Sequence, residues 1–174
     1  SDELLFLDID DQHSPEKLLR IIAMAADECD MPLSVGGGVV NTKQVERLLM
    51  AGADKIVMTS AGLLDPASVT QASTEFGAQC LIAGVEYRNY SGGPRVCTKR
   101  GTVDTGIEVG DHVNRLVDLG AGEIFLNCVD KDGTKSGFDL AVISEIAESC
   151  PIPLIASGGA GNFQDLIDVF DCGP

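Results

Sequence analysis

In residues 31–39, Met-Pro-Leu-Ser-Val-Gly-Gly-Gly-Val, a short apolar run is followed at once by three glycines. The run Leu33–Val35 is typical of a buried strand. A helical pattern extends from Asn41 to Met50, and either Asn41 or Thr42 suits its N-cap. A strand, a glycine turn and a helix in this order direct backbone N–H groups and the positive end of a helix toward an anion. The stretch therefore predicts a phosphate-binding loop.

The same pattern occurs a second time in the chain. Residues 152–160, Ile-Pro-Leu-Ile-Ala-Ser-Gly-Gly-Ala, repeat it about 121 positions later, again before a helical pattern. The repeat extends upstream, where Glu3–Asp10 matches Glu123–Asp130. One glycine turn is more often a plain turn than a ligand site, but two copies in matching contexts favour phosphate binding. Internal repetition also indicates a repeated architecture.

Composition excludes several classes of function. The net charge of −15 argues against nucleic-acid and anionic-membrane partners. No run has the length of a membrane span and no signal-peptide pattern opens the chain, so we expect a cytoplasmic protein. Six cysteines without C-x-x-C spacing predict free thiols, several of them buried, and neither a metal site nor a cofactor is predicted. His13 and His112 are expected to be solvated.

Apolar strand patterns and helical patterns alternate along the chain. The strand patterns lie at 3–9, 32–36, 54–59, 79–86, 123–129 and 153–157, and the helical patterns near 15–28, 42–51, 66–76, 109–119, 139–149 and 162–171. Near-continuous apolar strands predict a parallel sheet covered by helices. The strand-to-helix connections are the longer and more polar ones, which places the functional face at the carboxyl ends of the strands.

One connection is much longer than the others. About twenty residues separate Glu86 from Ile107, and Ser91-Gly92-Gly93 predicts a hairpin inserted at about 87–106. No linker or charge run divides the chain, so residues 1–174 are interpreted as a single domain.

The repeat completes the fold prediction. Each half of the repeat would hold four βα units, whereas the chain shows six, and these correspond to strands 2–7 of an eight-unit cycle. The predicted fold class is therefore α/β, an incomplete (βα)8 TIM-barrel-like domain that lacks its first and last strands. The strands at 3–9 and 153–157 would then be edges, and we expect self-association through them, either open or as a larger closed ring.

A set of motifs carries a resemblance to one family. The motifs are Asp8, Val35–Gly38, Thr59-Ser60, Asp130–Asp139 (Asp-Lys-Asp-Gly-Thr-Lys-Ser-Gly-Phe-Asp) and Ile155–Gly161. Together they resemble the cyclase subunit of imidazole glycerol phosphate synthase, and the sister isomerase of histidine biosynthesis matches them less well. The resemblance implies a lyase that takes ammonia from a partner glutaminase and adds it to a bisphosphorylated ribulosyl carboxamide.

The resemblance also implies roles for residues. Gly38, Thr59 and Ser60 would hold one phosphate of the substrate, and Asp132, Gly133, Ser157 and Gly159 would form part of the site for the other. The set of candidate substrate- or phosphate-binding residues also includes Asp8, Gly37, Thr134 and Gly158. Glu3, Lys55 and Glu123 would form an ammonia gate, without the family's arginine; an ordinary ion-pair cluster is the alternative.

The catalytic residues depart from the family's pattern. The family uses two aspartates, one on the first barrel strand and one on the fifth. The first strand is absent here, and Glu86 replaces the second aspartate. Glu86 and Asp130 are therefore the candidate catalytic residues, although Asp8 and Asp130 could equally serve only to accept loop N–H groups.

The function is accordingly left open between several classes. The chain alone is expected to be an impaired or inactive cyclase. It could instead be a non-catalytic module that binds phosphate or docks a glutaminase. The stretch Glu28–Pro32 keeps a third alternative, a paralogue that feeds ammonia to amidination of a surface-glycan sugar.

Overall fold

The computed structural model describes residues 3–9 and 15–173, and the chain divides into two compact units. Unit 1 comprises the chain up to Ala83 together with Leu119–Gly122, and unit 2 comprises Gly84–Asp118 and the chain from Glu123 onward. The fourth strand continues from the first unit into the second.

Unit 1 alternates strands and helices. Its elements are β1 (Leu4–Leu7), α1 (Pro15–Glu28), β2 (Leu33–Gly36), α2 (Thr42–Met50), β3 (Lys55–Met58), α3 (Ala61–Leu64), α4 (Pro66–Phe76), a 3-10 turn (Ala78–Cys80) and the start of β4 (Leu81–Tyr90). The strands pair in parallel in chain order, β1 with β2, β2 with β3, and β3 with β4. This is the parallel α/β alternation that the apolar runs predict.

Unit 2 adds an antiparallel segment to the same alternation. It contains the rest of β4, then β5 (Gly93–Thr98), β6 (Val103–Glu108), α5 (Val109–Asp118), β7 (Glu123–Cys128), α6 (Leu140–Ser149), β8 (Leu154–Ser157) and α7 (Phe163–Asp171). Strands β4, β5 and β6 pair antiparallel in turn. Strand β7 pairs with β4 and, in parallel, with β8. The pairing and alternation are those of an incomplete (βα)8 barrel, which confirms the predicted fold class.

The two halves of the repeat have the same local structure. Leu4 of β1 pairs with Leu33, and Ile124 of β7 pairs with Leu154, which are the positions related by the repeat. The pair β1–β2 and the pair β7–β8 therefore have the same register, and each pair leads to one of the glycine turns. Asn41 and Asn162, 121 positions apart, are the N-caps of α2 and α7, and both accept a hydrogen bond from the first helical turn.

Apolar side chains from strands and helices form the core of unit 1. Its buried members come from strands β2 to β4, the inner faces of the helices and two connecting segments: Ile22, Leu33, Val35, Val39, Val45, Leu48, Ala53, Ile56, Met58, Ala61, Val69, Ala72 and Leu81. Pro66 occupies the first turn of α4, where its missing N–H costs least. Packing in this core holds the strands in place, and with them the loops that follow their carboxyl ends.

The expectation for His112 is wrong. His112 is 1% exposed on the inner face of α5, one turn from Val109, and neither ring nitrogen has a hydrogen-bond partner. Burial, together with the nearby charge of Arg115, lowers the pKa of His112 to about 4. His13 lies outside the described residues. All six cysteines are free thiols, as predicted, and Cys97 and Cys128 are buried.

Candidate functional site

The carboxyl ends of β1 and β2 meet at one edge of unit 1. The backbone N–H of Asp8 donates to the carbonyl of Gly36 at 2.9 Å. Gly37 has a φ of +113°, and a Cβ there would lie 2.2 Å from the carbonyl oxygen of Asp8. Only glycine fits between these two chain segments. The structure therefore brings Asp8 and the glycine turn together.

The first glycine turn is followed by a helix that caps itself. The side chain of Asn41 accepts the N–H of Gln44 at 3.0 Å, and the side chain of Gln44 accepts the N–H of Val40 at 2.9 Å. The N–H groups of Val40 and Gln44 already have partners, so the start of α2 offers an anion fewer hydrogen-bond donors than the sequence pattern suggests. Gly38 has a φ of +64°, and a Cβ there would meet no atom within 4 Å. The space in front of Gly38 is therefore open.

Two hydroxyl residues follow β3 at the same edge of unit 1. Thr59 is half-buried and Ser60 is exposed. Ser60 precedes the short α3, and its hydroxyl makes no capping bond to that helix. Strands β2 and β3 are parallel, so both residues follow the end of the sheet from which the glycine turn leaves.

In unit 2, Asp130 is held tightly by the end of β4. Arg88 donates to one oxygen of Asp130 from Nε at 2.7 Å and from Nη2 at 2.6 Å, while the N–H of Asn89 donates to the other at 2.8 Å. Partial burial raises the pKa of Asp130, but the Asn89 N–H and the guanidinium more than offset this, and the net pKa is lowered. Asp130 is therefore an ionised carboxylate whose two oxygens are engaged.

Glu86 has the opposite electrostatic environment. It lies half-buried in β4, two residues before Arg88. Burial raises the pKa of Glu86, the Arg100 charge opposes the rise, and the Asp132 carboxylate adds to it. Two carboxyl groups of one unit thus have pKa values shifted in opposite directions, which is how proteins separate a proton-exchanging group from a permanently charged one.

The second glycine turn, in unit 2, follows β8 and packs against the end of β7 and the loop after it. A Cβ at Gly158 would lie 2.5 Å from the carbonyl of Cys128, the position related by the repeat to Asp8. Gly137 donates its N–H to the carbonyl of Gly159 at 2.9 Å, and a Cβ at Gly159 would lie 2.2 Å from the Gly137 oxygen. Backbone packing therefore requires glycine at 158 and 159, independently of any ligand.

The loop after β7 is shaped by its own side chains. The hydroxyl of Thr134 donates to the carbonyl of Lys131 at 2.7 Å and lies 2.8 Å from that of Ser136. Asp132 and Gly133 are exposed in the same loop, and Ser157, the last residue of β8, is half-buried. Thr134 thus has a structural task in the loop, whereas Asp132 faces solvent.

The helix after the second turn is already occupied by a carboxylate. Asp165 accepts the N–H groups of Gly161 at 2.8 Å and of Asn162 at 2.9 Å, and Asn162 accepts that of Gln164 at 2.8 Å. A negative side chain therefore lies where a helix dipole would otherwise attract a phosphate. Any anion at this end is expected at the glycine turn and not at the helix end.

The proposed gate residues lie at the amino ends of the strands. Lys55 Nζ forms an ion pair with Glu3 at 2.7 Å, and the buried Ser34 hydroxyl also donates to Glu3. Partial burial raises the pKa of Glu3, yet the Lys55 and Ser34 hydrogen bonds lower it overall. Glu123 is half-buried at the start of β7, in unit 2.

Several residues of this region were missed by the sequence analysis. Arg88 and Asn89 bind Asp130, Arg100 acts on Glu86, and Asn89 also donates to Asp139 at 2.7 Å. The available signal was the run of polar residues directly after Glu86 at the end of an apolar strand.

Metal binding and membrane insertion find no support in the described ranges. Within residues 3–9 and 15–173, no three His, Cys, Asp or Glu side chains are grouped so that they could hold a metal ion. The helices of the same ranges are all too short or too polar to cross a bilayer.

Comparison with known protein families matches residues 1–173 to the family described as histidine biosynthesis protein. The match covers the repeated glycine turns, the strands that lead to them, and both candidate carboxylates. The chain belongs to the histidine biosynthesis protein family.

Proposed function

We propose that this chain has the chemistry of the cyclase subunit of imidazole glycerol phosphate synthase, the addition of ammonia to a bisphosphorylated ribulosyl carboxamide followed by ring closure. The observation that carries the proposal is a pair of carboxyl groups in different settings within unit 2: Glu86 is half-buried in β4, which raises its pKa, and Asp130 is held by Arg88 and the Asn89 N–H, which lower its pKa. The family membership supports the pathway but does not distinguish the cyclase from its sister isomerase.

Glu86 is proposed as the group that exchanges protons with the substrate. A carboxyl group with a raised pKa is protonated over more of the working pH range, so it can both donate and accept a proton. Asp130, fixed by Arg88 and Asn89, is proposed to supply a permanent negative charge.

The two glycine turns are proposed to hold the two phosphates of the substrate. Gly37 and Gly38 with Thr59 and Ser60 would bind one, and Gly158 and Gly159 with Ser157 and the loop of Asp132, Gly133 and Thr134 the other. Because the net charge is −15, affinity would come from local N–H and hydroxyl groups and not from long-range attraction.

The test is ammonia-dependent turnover of the bisphosphorylated carboxamide. Glu86→Gln keeps the shape of the side chain and removes the proton, so we expect loss of turnover. Glu108→Gln changes an exposed glutamate of β6 and should leave the rate unchanged. Glu86→Asp shortens the side chain by one methylene, roughly 1 Å, a displacement that can change the rate by about a hundredfold. Equal rates for Glu86→Gln and the unmodified chain would overturn the proposal.

A second candidate function is phosphate binding without turnover. It is favoured by the glutamate at position 86, where the family that the chain resembles has aspartate. This function predicts that inorganic phosphate or a sugar bisphosphate raises the melting temperature while no product forms. A melting temperature that neither ligand changes would count against both candidates.

A glutaminase subunit is proposed as the source of ammonia. Support comes from the Lys55–Glu3 ion pair, which lies at the amino ends of the strands. Asp8 follows the opposite, carboxyl end of β1. If the gate operates, Lys55→Met should lower glutamine-dependent turnover in the presence of such a subunit while leaving turnover with free ammonia unchanged. Equal losses with both nitrogen sources would indicate that Lys55 only supports the fold.

A further inference from the structure

The turn between β5 and β6 packs against the chain that follows β7, within unit 2. Gly101 is buried in this turn, although its neighbours Arg100 and Thr102 are exposed. Gly101 has a φ of +78°, and a Cβ there would lie 2.6 Å from Cγ1 of Val129, the residue directly after β7. The backbone N–H of Val129 in turn donates to the carbonyl of Tyr87 in β4 at 3.0 Å. The turn is therefore in close contact with the carboxyl ends of β4 and β7.

Two residues of the same turn adopt a conformation that their side chains disfavour. Lys99 and Arg100 have φ values of +50° and +57°, in the left-handed region that favours glycine. Within residues 3–9 and 15–173, Lys135 is the only other residue besides glycine with a positive φ. Strained backbone of this kind persists where surrounding contacts hold it, and it is concentrated at functional sites. The Lys99–Gly101 turn, as we call these three residues, thus depends on its contacts with the rest of unit 2.

Arg88 makes one of these contacts and connects it to Asp130. Its Nη1 donates to the carbonyl of Gly101 at 3.3 Å, while its Nε and Nη2 donate to Asp130 at 2.7 Å and 2.6 Å. The Cδ of Arg88 would also lie 3.3 Å from a Cβ at Gly101. A guanidinium can make both contacts at once because its N–H groups point in several fixed directions. One side chain of β4 therefore joins the turn between β5 and β6 to the loop after β7.

The Lys99–Gly101 turn also brings a positive charge to Glu86. Glu86 lies two residues before Arg88 in β4, so the two side chains share one face of the strand. Burial raises the pKa of Glu86, the Arg100 charge lowers it, and the Asp132 charge raises it. The Cys97 thiol of β5 is neutral near pH 7, because burial and the Glu86 charge raise its pKa to about 11. Among these groups, Arg100 is the one that favours the ionised form of Glu86.

We propose that Arg88 is a positioning residue of the proposed reaction, which fastens the Lys99–Gly101 turn to Asp130 and thereby holds the Arg100 guanidinium beside Glu86. Arg88 acts through Arg100 and not on the substrate, because its guanidinium is engaged by Asp130 on one side and by Gly101 on the other. The catalytic meaning of this role rests on the proposed function, whereas the contacts themselves can be tested without substrate.

The first test is limited proteolysis with trypsin, which cleaves after lysine and arginine. Arg88→Gln removes the charged donor to Gly101, and cleavage after the two basic residues of the turn should become about tenfold faster or more. Arg95→Gln is the matched control, because Arg95 belongs to the same hairpin but pairs with Asp104 inside it. Cleavage after Lys43 in α2 reports opening of unit 1 and should not change. Unchanged cleavage of the turn in Arg88→Gln, or an equal acceleration by the control, would overturn the proposal.

The second test separates positioning from a merely structural role, because it follows Glu86 itself in a carbon-13 NMR titration. Arg88→Gln and Arg100→Gln should each raise the pKa of Glu86, and the double variant should show only the rise caused by Arg100→Gln. If Arg88→Gln acted through the released Asp130 carboxylate instead, its effect would add to that of Arg100→Gln. Additive effects, or an unchanged pKa of Glu86 in Arg88→Gln, would overturn the proposal.

Turnover distinguishes a failure of this role from a failure of the proposed function. In a chain that catalyses the ammonia-dependent reaction, Arg88→Gln should move the limb of the pH–rate profile that Glu86 governs to higher pH. An active variant with an unshifted profile would overturn the role of Arg88. Absence of turnover in the unmodified chain would overturn the proposed function instead, while proteolysis and the Glu86 titration would still decide whether Arg88 holds the turn.

Discussion

Replacing His112 should remove the part of the loss of folding stability at low pH that is caused by protonation of this histidine. His112 is 1% exposed and its two ring nitrogens have no partner, so the folded protein holds it neutral. Its pKa is lowered from 6.5 to about 4. Below pH 6.5 the unfolded chain binds a proton that the folded chain does not, so stability that is complete above this pH is lost as the pH falls toward 4.

The expected magnitude follows from these two pKa values. Between pH 8 and pH 5 the free energy of unfolding should fall by about 2 kcal/mol through this histidine alone, and by about 3 kcal/mol once the pH passes below both values. His112→Leu removes the titrating group and the two unpartnered nitrogens. The variant should therefore be more stable than the unmodified chain at pH 5.

The assay is urea unfolding followed by circular dichroism at pH 8 and pH 5. Carboxyl groups also titrate in this range, but they contribute equally to both proteins, so the difference isolates His112. Asn114→Leu places leucine on the exposed side of the same helix and should retain the full pH dependence. Equal losses of stability for the His112→Leu variant and the unmodified chain would show that His112 is not held neutral in the folded protein.

Two further predictions concern the glycine turn and the Asp130 contact. Gly37→Ala should destabilise the fold by about 2 kcal/mol or more because its Cβ would meet the Asp8 carbonyl. Gly38→Ala should cost only about 1 kcal/mol, from the left-handed backbone conformation. Equal costs of the two substitutions in urea unfolding would contradict the close contact at Gly37. Arg88→Gln should raise the pKa of Asp130, visible in a carboxyl NMR titration, because a charged donor is lost; an unchanged pKa would show that the Asn89 N–H alone sets it.

The strands and helices were predictable because their signals are local. Continuous apolar runs placed the strands, and Asn41 was correctly predicted as one of two candidates for the α2 cap. The repeat predicted that β1–β2 and β7–β8 would be equivalent, and both pairs have the same register. These features depend on periodicity and on glycine, which a sequence shows directly.

The missed features depend on contacts between distant residues. Arg88 and Asp130 lie 42 positions apart, and nothing in either local sequence marks them as partners. The polar, helix-adjacent setting of His112 predicts a solvated side chain, although Val109, Val113 and Leu116 outline an inner helix face that includes position 112. The antiparallel pairing of β5 with β6 adds a second hairpin to the one that Ser91-Gly92-Gly93 indicates.

The most direct measurement is a carbon-13 NMR titration of the Glu86 and Asp130 carboxyl groups in the folded chain, with assignments from Glu86→Gln and Asp130→Asn. We expect Glu86 to titrate above its ordinary value of 4.5 and Asp130 below its ordinary value of 3.8. Titration of Glu86 at or below 4.5 would contradict its assignment as the proton-exchanging group.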